Sequence, residues 1–197
     1  MSLFDRYEKE KPFGIDQNMT VIRSYKDQDF PGNEQGTCAG QVLMWFMGLA
    51  GQIPTGTGLK RPLLTPQQHA TTLQFDGLKN GSAVYPAATR TVDLRQRNTP
   101  KLLNENTPYT GKYKMYVIAS DKGHGHAIGA YFPWMDPIQF YDPNLVHGKI
   151  KSDGSIYEIL SLWVRLYQGV GSQDALWGHE TLCVFDDPKA ALKKIGA

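Results

Sequence analysis

Two periods of apolar residues organise this chain, one helical and one extended. From Cys38 onward Val42, Trp45 and Leu49 follow at spacings of four, three and four, which draws one stripe along a helix. Leu43, Met44, Phe46, Met47 and Ala50 leave Gln41 as its only polar side chain, so this helix is expected to be buried, with Thr37 as its N-cap. Further on the period falls to that of strands. "YKMYVIAS" at 113–120 is rich in aromatic and β-branched residues, and "HAIGAYF" at 126–132 and "IQFYD" at 138–142 form a hairpin across "PWMDP". Helical spacing returns at Ile156, Ile159, Leu160, Trp163 and Tyr167, behind a capping box of Ser155 and Glu158 and ahead of a stop at Gly169. "HETLCVFD" at 179–186 reads as a last strand.

Elsewhere the pattern is weaker. Residues 1–32 hold few periodic apolar positions and end in "DFPGNEQG", which predicts an irregular N-terminal entry. Residues 51–64 read as a loop, Thr65 and Pro66 open a helix of about ten residues, and 80–109 is mixed. The expectation is an α+β fold in one domain spanning 1–197, a buried helix packed on an antiparallel sheet.

Composition narrows the function. With 41% hydrophobic and 20% charged residues the chain is of globular type, and no window approaches the roughly 18 apolar residues of a membrane span. A net charge of +2 is too small to indicate nucleic acid, and "TRTVDLRQRN" and "KAALKKIGA" read as solvated faces. The polar start lacks the features of a secretory signal peptide, so a cytoplasmic location, or export by a route without that mark, is expected. Cys38 and Cys183 are far apart with no CxxC, which suggests neither a disulfide framework nor a cysteine-rich zinc site. Cys183, on a strand, reads as a small buried hydrophobe.

Cys38 is different, because the first turn of a helix favours a thiolate and offers free N–H groups to a developing oxyanion. Gly36, Ala39 and Gly40 leave room there for a substrate carbonyl. A cysteine nucleophile needs a base, and the base an orienting acceptor. The hairpin supplies both. If the turn pairs Phe132 with Asp136, paired positions sum to 268 and His126 faces Asp142 directly; a looser loop with a sum of 270 keeps them on one face as a diagonal pair. Either relation allows an Nδ1–H hydrogen bond to the carboxylate. Asp142 in "DPN" also fits ordinary turn chemistry. His124, expected on the same strand face as His126, is a second candidate base; metal binding by the two is the lesser alternative, since no third ligand stands at a suggestive spacing. His69, His147 and His179 read as surface residues.

"GTCAGQVLMWF", "HAIGAYF" and "FYDPN", in that order, resemble the YopT-like cysteine proteases, papain-fold effectors that bacteria deliver into host cells. Gly36, Cys38, Gly40 and Trp45 match the family's first element, His126 the second, and Asp142, Pro143 and Asn144 the third. The resemblance implies a papain-like fold, a catalytic triad of Cys38, His126 and Asp142, and an oxyanion hole completed by Asn33 or Gln35. It favours His126 over His124. It also implies secretion into a target cell without a signal peptide, a protein or peptide substrate, and no cofactor. A shorter Cys-to-His interval and a glycine displaced to Gly148 depart from the family's pattern. The same triad would equally serve a peptidoglycan amidase or endopeptidase toxin, a deamidase or an acyltransferase, with an inhibitor or immunity protein as a further partner. A binding module with a structural cysteine is the alternative of another class.

Overall fold

The computed structural model describes residues 2–24, 38–49, 87–95, 112–151 and 156–194. Its longer helices, α1 (Leu3–Glu10), α2 (Cys38–Leu49), α3 (Ile156–Tyr167) and α4 (Pro188–Lys194), lie around a sheet. Seven strands are found among the described residues: β1 (Met19–Ser24), β2 (Arg90–Asp93), β3 (Lys112–Ser120), β4 (Gly125–Phe132), β5 (Gln139–Asp142), β6 (Val146–Ile150) and β7 (Trp177–Phe185). Their order across the sheet is β1-β6-β5-β4-β3-β7-β2, and the neighbouring pairs are antiparallel. The fold is therefore α+β, as the two periods of the sequence require. None of the helices in the described residues is long and apolar enough to cross a membrane.

Both faces of the sheet are covered, because strand residues alternate between two cores. On one side Ile118, Ile128, Ala130, Phe132 and Phe140 meet Tyr7 of α1 and Ile159, Leu160 and Trp163 of α3. On the other, Met115, Ala127, Tyr141, Cys183 and Phe185 meet Ala39, Val42, Leu43, Trp45 and Phe46 of α2 and Ala191 of α4. The helix that is apolar nearly all round is thus buried as its composition predicts, and even Gln41 is covered. Its approach to β4 is close. A Cβ added to Gly129 would lie 2.9 Å from Val42 Cγ1 and 3.0 Å from the Trp45 ring.

The N-terminal segment departs from expectation. Residues 1–32 were expected to be irregular, yet α1, a π-helical turn at Lys11–Ile15, a short helical turn at Asp16–Asn18 and β1 occupy most of the described part. The physical reason is local and tertiary at once. Ser2 and Asp5 form a reciprocal capping box at 3.1 and 3.0 Å, with aspartate in the role usually taken by glutamate. Tyr7, Ile15 and Met19 then bury themselves completely against α3 and the sheet, too widely spaced to register as a period. β2, β6 and α4 likewise give no sufficient local signal, since β2 is a four-residue edge strand and β6 carries Gly148. The predicted helix after Thr65, the loop at 51–64, Thr37 and Ser155 lie outside the described residues.

Candidate active site

Cys38 opens α2 and keeps partial exposure. Its Sγ accepts a hydrogen bond from the backbone N–H of Ala127 at 3.3 Å. That N–H is available because the pairing of β4 with β5 stops at Gly129↔Tyr141, two residues short of Ala127. The thiol docks where the ladder has ended. His126, the neighbouring residue on β4, points to the opposite face of the strand, and its imidazole is near enough to the thiol for each to favour the other's charged form.

The β4–β5 rungs sum to 270, so the looser hairpin is the observed one and His126 and Asp142 are a diagonal pair. His126 Nε2 lies 3.1 Å from Asp142 Oδ2. This corrects the expected Nδ1–H contact: the ring presents Nε2 to the carboxylate.

Asp142 is fully buried and richly bonded. Oδ1 accepts from the N–H groups of Asn144 (2.7 Å) and Leu145 (3.1 Å); Oδ2 accepts from Trp163 Nε1 (2.7 Å) and from the Tyr167 hydroxyl (3.2 Å). The turn chemistry of "DPN" and the pairing with His126 therefore coexist on two oxygens of one carboxylate.

Charge follows this geometry. Burial alone would push the Cys38 thiol up, but the imidazole and the Ala127 and Ala39 N–H groups outweigh it, and the thiol sits below its ordinary value. For His126, burial opposes the proton while the Asp142 charge and hydrogen bond, then Cys38, favour it more strongly, so the imidazolium is held well above the usual range. Burial also works against the Asp142 carboxylate, which is nonetheless kept below its ordinary value by His126, the Asn144 N–H and the Trp163 indole. The array is arranged for a thiolate–imidazolium pair.

The remaining histidines separate from the site. His124 immediately precedes β4, its carbonyl accepting from the Ser120 N–H at 2.8 Å, and its ring packs against Gly171. His147 and His179 are not surface turn residues. They sit on β6 and β7, with His147 buried between Trp45 and Gln139 and lowered to about 4 by burial and by Lys149. Burial lowers His179 as well. His69 lies outside the described residues, as do Asn33, Gln35 and Gly36, while Gly40 lies on α2 one residue pair beyond Cys38. Cys183 is the buried hydrophobe expected, its thiol pushed up to about 12 by burial. Among the described residues no cluster of His, Cys, Asp and Glu is suited to a metal ion.

Trp163 and Tyr167 were legible only as a helical stripe, yet both donate to Asp142, and Tyr167 lies flat on His126 with centroids 4.6 Å apart and planes at 21°. Their signal was two aromatic residues with polar atoms, one turn apart on the buried side of α3.

Fold and site together define an α+β protein with a thiol, imidazole and carboxylate in series. No family model matches the chain, and no curated protein matches it. Among solved structures, the crystal structure of the Pseudomonas avirulence protein AvrPphB is similar, with a TM-score of 0.47 and 15% identity over 82% of this chain and 96% of that one. A likeness of that degree bears on neither family membership nor chemistry.

Proposed function

We propose that the protein is a papain-like cysteine hydrolase of the YopT type, acting on an amide bond of a protein or peptide. The observation that carries this reading is the series from Cys38 at the mouth of α2 through His126 to the buried, multiply bonded Asp142, with the thiol lowered and the imidazole raised. Sγ attacks the carbonyl carbon and forms a C–S bond. The tetrahedral intermediate collapses as the C–N bond breaks, and the leaving nitrogen takes the proton from His126 Nδ1. His126 then deprotonates a water that hydrolyses the thioester and restores the thiol. The first-turn N–H groups of α2 stabilise the oxyanion, with Asn33 or Gln35 as the additional donor. Delivery into a target cell without a signal peptide belongs to the same proposal and rests on the three sequence motifs.

The test begins with iodoacetamide. Cys38 is expected to alkylate with an acid limb below that of a free thiol, and new protein N-termini are expected in a lysate treated with wild type but not with Cys38→Ala. An alkylation rate at neutral pH no greater than a free thiol's overturns the reading. Altered muropeptides from purified peptidoglycan with no protein cleaved would replace the protein substrate with a cell-wall one.

A further inference from the structure

We propose that Tyr167 is a positioning residue: its ring face supports the His126 imidazolium, while its hydroxyl holds the Asp142 carboxylate that orients the ring. The proposal deepens the cysteine-hydrolase reading and rests on it. Three observations meet at this side chain. The phenol ring stacks on the imidazole at 4.6 Å and 21°, close enough for the electron-rich face to attract a cation. The hydroxyl donates to Asp142 Oδ2 at 3.2 Å and approaches Oδ1 at 3.4 Å. That hydroxyl in turn accepts from Asn144 Nδ2 at 3.2 Å, and Trp177 packs on the ring at 5.2 Å, so Tyr167 is itself held.

Among the described residues, the titratable groups facing the imidazole are Cys38 from α2, Asp142 at the end of β5 and Tyr167 from α3; its cross-strand partner on β3 is the apolar Ile118. Cys38 and Asp142 act on His126 through charge, and among the described residues Tyr167 is the aromatic ring that lies on the imidazole plane. A flat cover has a specific consequence. It stabilises the protonated ring over the neutral one and prevents rotation about χ2, which would turn Nδ1 away from the thiol. The last residue of α3 is suited to this, since the rigid helix fixes it through Trp163 one turn earlier.

The test reads the proton on His126 directly, by ¹⁵N resonances of histidine-labelled protein assigned with His126→Gln. Tyr167→Phe keeps the ring face and loses one donor to Asp142, and His126 is expected to titrate as in wild type or slightly higher. Tyr167→Leu removes the face, and the titration is expected to move down by about one pH unit, a tenfold change in proton affinity. Should Tyr167→Leu not fold, pentafluorophenylalanine at 167 keeps the shape of phenylalanine, reverses the potential of the ring face, and is expected to shift His126 the same way. A merely structural Tyr167 would change the melting temperature and leave this titration in place. Equal His126 titration in Tyr167→Phe and in folded Tyr167→Leu, or in the fluorinated protein, overturns the proposal. Failure of the hydrolase reading is seen separately, as a wild-type Cys38 alkylation limb at the ordinary thiol value.

Discussion

Gly129→Ala tests whether the closeness of α2 to β4 is what puts the thiol in reach of the imidazole. The added methyl would lie 2.9 Å from Val42 Cγ1 and 3.0 and 3.1 Å from two carbons of the Trp45 ring. Carbon atoms rest at about 3.5–4.0 Å, so the helix must retreat by about 0.6–1 Å or its side chains must turn. Neither side chain has room to turn. Val42 is fully buried, and Trp45 is stacked on Tyr141 with centroids at 5.1 Å and planes at 17°. Val42 is one turn from Cys38, so a retreat of that size carries Sγ from 3.3 Å off the Ala127 N–H toward the limit of a sulfur hydrogen bond. Overpacking of this kind costs about 1–3 kcal/mol. The assay pairs a urea denaturation series with the pH dependence of Cys38 alkylation, against Gly125→Ala as the control. Gly125 is nearer to His126 along the chain, but a Cβ there meets nothing within 4 Å. The expected result is lower stability and a thiol limb shifted up in Gly129→Ala, with Gly125→Ala close to wild type. A Gly129→Ala protein with unchanged midpoint and unchanged alkylation limb would refute the coupling of helix seating to thiol activation.

Asp142→Asn should lower stability by about 3 kcal/mol and raise the Cys38 limb, because an amide nitrogen would then face other donors in a site built for a carboxylate; denaturation and alkylation report the two effects. His147 is held near 4 in the folded chain while the unfolded value is 6.5, so the unfolded state binds the extra proton between those values and stability falls as pH drops from about 6.5 to about 4. The loss attributable to it is about 3 kcal/mol, and wild type minus His147→Gln, measured by urea midpoints at pH 7 and 4.5, should show it; equal pH slopes in the two proteins would contradict the burial assigned to His147. Gly171→Ala combines a φ of +85° with a Cβ 2.7 Å from the His124 ring, and should lower the melting temperature by several degrees, more than Gly123→Ala, whose φ of +81° meets open space.

That the structure brings Cys38, His126 and Asp142 together was readable because each sits where local pattern is strong: Cys38 at the start of a periodic apolar stripe, His126 and Asp142 on strands whose alternation fixes a common face. Register was readable only to within two, since a loop of Pro133, Trp134, Met135, Asp136 and Pro137 permits either count. Tyr167 and Trp163 escaped notice for a different reason. Their spacing is that of core residues, which they also are, and nothing in a one-dimensional pattern distinguishes a buried indole from one whose N–H is aimed at a carboxylate 21 positions away. The N-terminal segment escaped because its order comes from single contacts, such as Tyr7 edge-on to Trp163, spread over several turns.

"DPN" at 142–144 shows why the bland and the functional readings of Asp142 were never rivals. The turn ends β5, and with it the rungs to β4, so the N–H of Ala127 is left for a thiol instead of a carbonyl. Turn closure consumes Oδ1 through Asn144 and Leu145, and so fixes the carboxylate with Oδ2 turned to His126. Rungs continued two residues further, to Pro143, would have paired Ala127 and covered the place where Cys38 docks. Ending the ladder at this point thus supplies both the acceptor that orients the base and the gap that admits the nucleophile, and one short turn carries the two requirements of the chemistry proposed for it.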